Sequence, residues 1–535
     1  MTTRLDETPV GARDETGSEA TRLPPLGWVI LVLTAVMSVT WSLHKLLWQD
    51  EIFSFQTDRV ATLGEVLRIQ QSYPISLEPP PYHVLSHAAM AVFGPTAFAL
   101  RLPALAGYLL MQFCLYFFVR NLAGWRAGLV AMAFPALTLT MYYSAEGRPY
   151  GVLLGSYAMV ALCWQVASRR SEVQGASRVW PLVGLALGLA LTLNVHFYGV
   201  LLLVPLCGAE LVRTVVRRKV DGGMLAAVGA GMASLVATIP YIKASGEYKQ
   251  HYYAAEISVH MLTQPYRQMM LDYTAYPKAV QTGIAAVIFL VGVAVVWGCV
   301  RAVRRKVVVV PVAEWAMVLL LVLIPAFAFV LGRLVTHALE VRHSIGAIVG
   351  ISALLAIAMT SALRRKNVFY GVMAAMLVGI VVVNGVRVEQ TMTADRQMLA
   401  TLMLTPGLKA DVDAAADRNI YFQDLGKWEL ASLYEPDPEL RSRLVLVYSL
   451  NEEMGWENHD TMYLAAVNTK KFSDQPIMSY DDLRKISGEH IFATYHSGWS
   501  WTDGAFALEA ARVEPMGPAF GGDLVKVQFQ QPAPQ

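Results

Sequence analysis

The sequence predicts a helical protein that crosses a membrane many times and ends in a small α/β domain. Hydrophobic residues make up 55% of the chain and charged residues only 16%, whereas roughly a quarter of a globular protein is charged. Many apolar runs approach the length of about 20 residues that a helix needs to cross a bilayer. From about residue 388 onward the apolar runs shorten to the length of strands. The net charge of +2 gives no indication of a nucleic-acid partner, and we expect none.

The N-terminal segment predicts a disordered tail followed by an uncleaved helix. Residues 1–25 mix acids and bases with Gly, Ser and Thr, which is not the pattern of a signal peptide. The apolar run 26–47 is long enough to span a membrane and lacks a small-residue cleavage site. Residues 48–95 then predict a long outer loop interrupted by prolines. Within it, residues 82–93 are apolar but too short to span, so we expect an interfacial helix there.

Ten further apolar runs follow the first outer loop and bring the expected number of spanning helices to about eleven. They cover residues 97–119, 127–143, 147–168, 179–196, 198–214, 222–241, 278–299, 312–333, 343–362 and 368–386. We therefore expect the transmembrane domain to cover residues 26–387.

Positive charge predicts how these helices are oriented. Basic residues recur at every second connection: Arg120, Arg126, Arg169, Arg170, Arg217, Arg218, Lys219, Arg304, Arg305, Lys306, Arg364, Arg365 and Lys366. Such loops face the cytoplasm in membrane proteins. The alternate connections are then outside, and an odd number of spans from a cytoplasmic N-terminus places the C-terminal segment outside too.

The C-terminal segment, residues 388–535, predicts an α/β domain. Strand-like runs lie at 420–422, 444–448, 490–495 and 524–529, with helical candidates at 426–434 and 480–487 between them. The aromatic residues of this domain are candidates for stacking on sugar rings, or equally for its core: Trp456, Tyr495, Trp499 and Trp501. All four cysteines (Cys114, Cys163, Cys207 and Cys299) lie in apolar runs, so we expect neither disulfides nor a thiol metal site.

The connections assigned to the outer face contain an unusual set of polar and aromatic side chains. They are Asp50, Glu51, Glu78, Tyr82, His83, Arg101, Glu146, Arg148, Tyr150, His196, Tyr198, Arg342 and His343. Ionisable residues at a membrane boundary tend to mark substrate paths, because their desolvation must be compensated. Individually they have ordinary interpretations, since Arg101 could anchor a helix end and His196 could be a core histidine. Their concentration on one face indicates a site.

Transfer of a sugar from a lipid-phosphate carrier suits these groups. Its leaving group is a phosphate ester, so no general acid is needed. One carboxylate must accept the proton of the acceptor hydroxyl, and cations must stabilise the departing charge. Arginine binds phosphate oxygens through two parallel contacts.

Five motifs in order carry a resemblance to a known family. They are Trp48-Gln49-Asp50-Glu51, Glu78-Pro79-Pro80-Pro81-Tyr82-His83, the run 98–107 (FALRLPALAG), the run 143–150 (YSAEGRPY) and His196-Phe197-Tyr198. Together they resemble the C-type integral membrane glycosyltransferases, in the bacterial branch similar to protein O-mannosyltransferases and to the lipid A aminoarabinose transferase. The similarity covers about the first 200 residues, and the later helices only by hydropathy.

The resemblance implies a polyprenyl-phosphate sugar donor, an outer-face active site in the bacterial cytoplasmic membrane, and inversion at the sugar. Asp50 takes the position of the catalytic base, and Glu51 that of its paired neighbour. The lipid A branch has a phosphate-binding lysine where this chain has Pro79, so Arg148 and Arg342 are the candidates for holding the phosphate. The adjacent carboxylates permit a divalent cation, Mg or Mn, without requiring it, and we predict no dedicated metal ligands. The expected partners are the lipid-linked donor, membrane lipids, and a glycan, lipid or protein acceptor.

Two other functions remain open from the sequence. A transporter or flippase of lipid-linked sugars would use the same boundary charges, although such proteins usually show broken helices in two symmetric halves. A membrane sensor would explain the outer domain but would leave the carboxylates of the first loop without a role.

Overall fold

The computed structural model describes residues 22–250, 257–270, 278–457, 459–495 and 500–529. The predicted N-terminal tail lies outside the described residues except for its last four positions. The predicted fold class is confirmed: the described chain is a bundle of apolar helices with a small C-terminal α/β domain.

The helices of the first loop and of the bundle run in the following order. They are α1 (Pro25–His44), α2 (Gln49–Asp58), α3 (Leu63–Ser72), α4 (Pro80–Phe93), α5 (Ala97–Ala123), α6 (Trp125–Ala133), α7 (Tyr150–Arg170), α8 (Val179–Val195), α9 (Leu203–Arg217), α10 (Gly222–Ala233), α11 (Ile239–Ser245), α12 (Gln264–Met270), α13 (Lys278–Arg304), α14 (Val312–Val322), α15 (Ile324–Leu331), α16 (Ala347–Leu363) and α17 (Lys366–Thr401).

The eleven predicted spans all correspond to helices in the described residues. Among the described residues, seven helical segments are long and apolar enough to cross a membrane, or eight if the pair α14 and α15, bent by 54° at the break between them, is one span. Three shorter apolar helices, at residues 125–137, 179–195 and 347–363, correspond to the remaining predicted spans. The chain is therefore a multi-pass membrane protein. The expected short helix of the first loop is confirmed as α4, which begins at Pro80, where the missing N–H of proline costs no hydrogen bond.

Helices α5 and α7 pack closely because glycines line their contact. A Cβ atom at Gly107 would lie 2.4 Å from the Cα of Val152, and one at Gly151 would lie 2.2 Å from the carbonyl oxygen of Ala104. Small residues allow membrane helices to approach to this distance. The contact fixes the N-terminal end of α7, which directly follows Glu146 and Arg148.

The C-terminal domain contains a six-stranded sheet and its covering helices. Its elements are α18 (Pro406–Ala414), β1 (Ile420–Phe422), α19 (Leu425–Tyr434), α20 (Pro438–Arg441), β2 (Leu444–Tyr448), α21 (Leu450–Glu457), α22 (Thr461–Lys470), β3 (Ile477–Ser479), α23 (Tyr480–Leu483), β4 (Glu489–Thr494), α24 (Thr502–Leu508), β5 (Arg512–Ala519) and β6 (Gly522–Gln528). The strand order is β3-β2-β1-β4-β6-β5, in which β3, β2, β1 and β4 are parallel and β6 and β5 are antiparallel.

Four of the six strands coincide with the sequence predictions, and two were missed. Strand β3 is only three residues long, and β5 contains Pro515 and Gly517 at a register shift, so neither gives the alternating apolar pattern of a strand. Among the aromatic residues considered for sugar stacking or for the core, Trp501 and Tyr495 are buried in the core of the domain, which confirms the core alternative for these two. Trp456 is exposed, and Trp499 lies outside the described residues.

The C-terminal domain lies directly over the first loop. The backbone N–H of Leu47 donates to the hydroxyl of Tyr434 at 2.7 Å, and that of Leu46 donates to Asp395 at 2.8 Å. On the far side of the loop, the side chain of Asn468 donates to the carbonyl of Pro74 at 3.2 Å. These contacts close a space between the loop and the sheet domain.

The basic connections gather at the other end of the bundle. Arg126 donates to the carbonyl of Leu363 at 2.9 Å, and Arg364 donates to that of Val307 at 3.1 Å. Helix α16 separates this end from Arg342 and His343 by 17 residues, or about 25 Å at 1.5 Å per residue. The grouping of basic loops at one end, which the orientation argument requires, is therefore present.

Candidate active site

A buried ion-pair cluster joins α1, α2 and α5 beneath the outer surface. The carboxylate of Glu51 is fully buried and accepts two hydrogen bonds from Arg101, both at 2.7 Å. It also accepts from Lys45 at 3.2 Å and from the backbone N–H of Gly147. Burial alone raises the pKa of Glu51, but the charges of Arg101 and Lys45 outweigh it and lower the pKa to about 2. Both oxygens of Glu51 are therefore engaged in holding the scaffold.

Arg101 also terminates α1. Its guanidinium donates to the carbonyl oxygens of Ser42, Lys45 and Leu46 at 2.7 to 2.9 Å. These carbonyls belong to the last turn of the helix and the residues after it, which have no partners within the helix. Arg101 thus fixes the direction in which the chain leaves α1 and enters α2.

Asp50 differs from its neighbour Glu51, because it faces a cavity. Its side chain is 24% exposed, and one carboxylate oxygen lies 3.4 Å from Arg342 and 3.6 Å from Arg148. Asp50 lies in the first turn of α2, where the helix dipole favours a negative charge. The carboxylate is thus accessible and positioned between two cations.

Arg148 is held from several sides. It donates to the backbone carbonyl of Asp50 at 3.0 Å, to Ser54 at 3.3 Å and to Ser76 at 3.1 Å, and it pairs with the carboxylate of Glu78. Because these bonds fix the guanidinium, Arg148 connects α2 to the residues before α4. Its position beside Asp50 is determined by the scaffold.

Arg342 is less constrained than Arg148. Its guanidinium contacts Asp50 and lies over the indole ring of Trp48, 5.8 Å from the ring centre. Its Nε has no hydrogen-bond partner among the described residues. Burial alone lowers the pKa of Arg342, but the neighbouring acidic groups raise it above its usual value, so it remains a cation. Arg342 is therefore available to an anionic ligand.

Behind Glu78, a second buried pair supports α4. The imidazole of His83 lies 2.7 Å from Asp58 and 4.0 Å from Glu78. The hydroxyl of Tyr82 donates to the carbonyl of Leu100 at 2.8 Å. Tyr82 and His83 are completely buried, so the structure places both behind the cavity wall and not in contact with the cavity.

Next to Arg342, aromatic and imidazole rings pack against one another. The ring of His343 stacks on that of Tyr198 at 4.0 Å, and that of His196 lies 5.3 Å from Tyr150. Burial, together with the charges of Arg148 and Arg342, lowers the pKa of His196 to about 3. The backbone N–H of Tyr198 donates to Nδ1 of His196 at 3.1 Å, which suits a neutral ring.

Glu146 is a buried acid of a different type from Glu51. It is 2% exposed, and its Oε2 has no hydrogen-bond partner among the described residues. Burial raises its pKa to about 8, and the nearby charge of Glu51 acts in the same direction against the opposing effect of Lys45. Glu146 is therefore mainly protonated at neutral pH.

Two cavities meet at Arg342. The first has a volume of about 470 Å³ and lies between the first loop and the C-terminal domain, with Asp50, Arg148 and Arg342 on its lower wall. The second has a volume of about 600 Å³ and is lined by Tyr142, Tyr143, Met261, Met269 and Arg342 among others. Both volumes are in the range of about 300–1,000 Å³ that small-molecule sites occupy.

The adjacent carboxylates do not fit a shared metal ion. Both oxygens of Glu51 bind Arg101, Lys45 or backbone N–H groups, and Asp50 faces two guanidinium groups. Among the described residues, no group of three or more His, Cys, Asp or Glu is placed to hold a metal. No step of the chemistry is therefore assigned to a metal ion.

The sequence did not identify several residues of this site. They are Lys45, Ser54, Asp58, Ser76 and, from the C-terminal domain, Gln423, Asp424 and Glu453. Ser76 precedes Glu78 by two residues and could have been inferred from that motif. The residues of the C-terminal domain carry no motif and reach the cavity only through the fold.

Comparison with known proteins supports the same class of enzyme. Residues 78–242 match the family model described as dolichyl-phosphate-mannose-protein mannosyltransferase. The structure of ArnT from Cupriavidus metallidurans bound to undecaprenyl phosphate matches with a TM-score of 0.60 at 14% identity, over 96% of this chain and 100% of that chain. The fold is that of the C-type membrane glycosyltransferases.

Two further solved structures are similar to this chain with lower scores. The apo state of the same ArnT gives a TM-score of 0.56 at 14% identity, over 94% of this chain and 98% of that chain. The oligosaccharyltransferase of Archaeoglobus fulgidus, in complex with Zn and sulfate, gives 0.48 at 12% identity over 93% of this chain and 73% of that chain. No curated protein matches the chain in sequence. The expectation of a glycosyltransferase enzyme is confirmed.

Proposed function

We propose that the protein transfers a sugar from a polyprenyl-phosphate carrier to an acceptor hydroxyl, with Asp50 as the base. One observation carries the proposal: the accessible Asp50 carboxylate lies within 3.6 Å of two arginines on the wall of a cavity large enough for a sugar. The polyprenyl carrier is supported by the undecaprenyl phosphate bound to the ArnT that shares the fold.

The reaction is a single displacement. The acceptor oxygen attacks the anomeric carbon, its proton passes to Asp50, and the bond from that carbon to the phosphate oxygen breaks. The sugar is then joined to the acceptor with inverted configuration, and the carrier leaves as polyprenyl phosphate. A positioned base accelerates such a step by about 10²–10⁴-fold.

Arg342 is the group that binds the carrier phosphate in this proposal. It lines both cavities, so a phosphate beside it could place the sugar in the polar cavity and the lipid chain in the second one. Arg148 is tied to Glu78 and to Asp50, so it acts mainly by positioning the base. Guanidinium groups fixed in advance stabilise developing negative charge without further reorganisation.

Glu51 has a positioning role in this proposal, although the resemblance pairs it with the base. Its carboxylate is buried and fully engaged by Arg101 and Lys45, so it contacts no substrate. Through α2 it determines where Asp50 stands.

The variant Asp50→Asn should reduce sugar transfer by about 10²–10⁴-fold, because the amide cannot accept the proton. Binding of undecaprenyl phosphate to the purified protein should persist, and the melting temperature should change little. Arg342→Gln is the matched variant and should weaken binding of that lipid while leaving Asp50 in place. Near-normal turnover by Asp50→Asn would exclude Asp50 as the base.

The active site should face the outside of the cytoplasmic membrane, since the basic loops lie at the other end of the bundle. In a background without the native cysteines, Val173→Cys and Leu508→Cys place thiols on exposed positions at the two ends. A membrane-impermeant maleimide added to intact cells should label the Leu508→Cys protein and should leave the Val173→Cys protein unlabelled. Labelling of the Val173→Cys protein alone would place the site in the cytoplasm.

A further inference from the structure

A third cavity, called the basic cavity here, lies at the end of the bundle where the basic connections gather. It has a volume of about 330 Å³ and opens between the turn 171–178, which joins α7 to α8, and the turn 218–221, which joins α9 to α10. Helix α7, whose 21 residues correspond to about 30 Å, separates it from Arg148. The charged residues of its lining are Arg170, Arg178, Arg217, Lys219 and Asp221. The basic cavity is therefore distinct from the candidate active site.

Only one carboxylate among the described lining residues faces these four cations, and it is already fully bonded. Asp221 accepts two hydrogen bonds from Arg178, at 2.5 and 2.6 Å, and one from the buried Arg213 at 3.0 Å. The bonds from Arg178 above all hold the pKa of Asp221 well below its usual range, against the opposing effect of burial. Because one acid cannot neutralise four bases, the charge of the lining is positive.

Arg217 and Lys219 are not neutralised in the way that Arg178 is. Arg217 lies 3.8 Å from Glu172 and 3.9 Å from Asp221, and both distances exceed the length of a hydrogen bond. Glu172 is mostly exposed, so water and salt screen its charge. Lys219 is exposed, and it has neither a hydrogen bond nor an ion pair within the described part of the chain. Both cations are therefore available to an anionic ligand.

The backbone at the start of α10 is also open to the basic cavity. Gly222 lines the cavity, and a Cβ atom at this position would meet nothing within 4 Å. The N–H groups of the first turn of a helix have no partners within the helix. That of Met224 is capped by Asp221 at 3.1 Å. An anion at the start of this helix of 12 residues would also be favoured by the helix dipole.

Trp180 indicates that the basic cavity lies at the level of the lipid headgroups. Its side chain is 80% exposed and follows Arg178 by two residues, and tryptophan is enriched at the interface between membrane and water. Deeper in the bundle, Leu187 on α8 and Leu211 and Val215 on α9 are exposed and apolar. In a multi-pass membrane protein such residues face the acyl chains. A ligand in the cavity would therefore adjoin both water and hydrocarbon.

We infer that the basic cavity binds the phosphate group of an anionic phospholipid. Arginine binds phosphate oxygens through parallel N–H contacts, and basic pockets between membrane helices attract anionic headgroups. The acyl chains would pack on the exposed apolar faces of α8 and α9. A zwitterionic lipid carries an ammonium group beside its phosphate, which the cations repel. A soluble phosphate compound lacks the chains.

This inference is independent of the proposed function, because the basic cavity and Asp50 lie at opposite ends of the bundle. Dioctanoyl phosphatidylglycerol and dioctanoyl phosphatidylcholine test it, since they have the same chains and only the first has a net negative charge. Native mass spectrometry of the full-length protein in neutral detergent counts the bound lipids and gives their dissociation constants. The first phosphatidylglycerol should bind about 10-fold more tightly than phosphatidylcholine. Glycerol phosphate at equal concentration should not displace it, because glycerol phosphate buries no chains.

Removing two of the cations should remove this preference. Arg217→Gln combined with Lys219→Gln should weaken binding of phosphatidylglycerol by about 10- to 30-fold, at about 5-fold for each cation. The matched control is Arg304→Gln combined with Arg305→Gln, which removes the same charge from another basic connection outside the lining. It should change binding by less than about 3-fold, because salt screens distant charges. Melting curves recorded without lipid identify a variant that fails to fold, in which case Arg170→Gln combined with Lys219→Gln is the second test.

Equal binding of the two lipids by the unaltered protein would contradict the inference. An equal loss of binding in the two double variants would also contradict it, because the attraction would then be general to the basic connections. Displacement of the lipid by glycerol phosphate would assign the basic cavity to a soluble phosphate compound instead. Asp50→Asn should bind phosphatidylglycerol as the unaltered protein does, so a failure of the proposed base would leave this test unaffected.

Discussion

The two ends of the helix bundle both contain buried carboxylates, but they satisfy them differently. At the basic end, both oxygens of Glu314 accept hydrogen bonds from Arg169, and one accepts another from Gln165. Glu210 is bonded in the same complete way by Trp164 and Arg213. At the end that faces the C-terminal domain, Glu146 keeps a buried oxygen without a partner among the described residues, and Glu429 of the domain itself does the same.

The difference separates carboxylates that hold helices together from those available to a ligand. A fully bonded buried pair stabilises one arrangement of the scaffold, whereas a buried polar atom without a partner costs free energy unless a ligand completes it. Both carboxylate oxygens of Glu51 are fully bonded, although its neighbour Asp50 faces the cavity. Of these two consecutive residues, one therefore belongs to the scaffold and the other to the site.

Removing the charge of Glu51 from its buried cluster with Arg101 and Lys45 should have the largest effect on stability. Glu51→Gln leaves Arg101 and Lys45 buried without their counter-charge, and removing one partner of a buried pair costs about 3–5 kcal/mol. The free energy of unfolding, measured by denaturant titration in detergent, should fall by that amount, and transfer should fall because α2 loses its anchor. A variant of unchanged stability would show that the cluster is not structural.

The equivalent substitution at the basic end, Glu314→Gln, should cause a smaller loss of stability and should leave catalysis intact. Glu314→Gln loses charged hydrogen bonds to Arg169, whose side chain is 39% exposed, so water can replace part of them. We expect a loss of about 1.5–3 kcal/mol in the free energy of unfolding, with normal turnover at temperatures where the variant is folded. Loss of turnover in folded Glu314→Gln would show that the two ends are coupled.

The smallest effect concerns pH and the carboxyl group of Glu146. Its folded pKa of about 8 lies above its unfolded value, so the folded protein binds the extra proton and loses stability as pH rises through 8. Between pH 7 and pH 9 the free energy of unfolding should fall by about 1 kcal/mol through this group. Glu146→Gln mimics the protonated form, so the melting temperature of this variant should depend less on pH in that range than that of the unaltered protein. An equally steep profile in the variant would assign the pH dependence to another group.

Much of the fold could be predicted because hydrophobicity alone determines where a helix crosses a membrane. The helices at all eleven predicted spans and strands β1, β2, β4 and β6 follow from apolar runs, although only seven or eight of those helices are long enough to span. Strands β3 and β5 are too short or too interrupted to show such a run. The site was predictable only in its motifs. The partner of Glu51 is Arg101, fifty residues away, and no local pattern distinguishes its role from that of a helix anchor. Gln423 and Asp424 reach Asp50 only because the sheet domain folds back over the first loop.

The length of α17 has a mechanical consequence. Its 36 residues correspond to about 54 Å, whereas the hydrocarbon core of a bilayer is about 30 Å thick. The helix is therefore longer than the hydrocarbon core is thick. Hydrogen bonds from Trp41 in α1 to Thr391, and from Leu46 just after α1 to Asp395, hold it beside the end of the first helix. Adding one residue to a helix raises everything above it by about 1.5 Å and turns it by about 100°. The number of residues in α17 thus determines both the distance of the C-terminal domain from the membrane and its rotation about the helix axis.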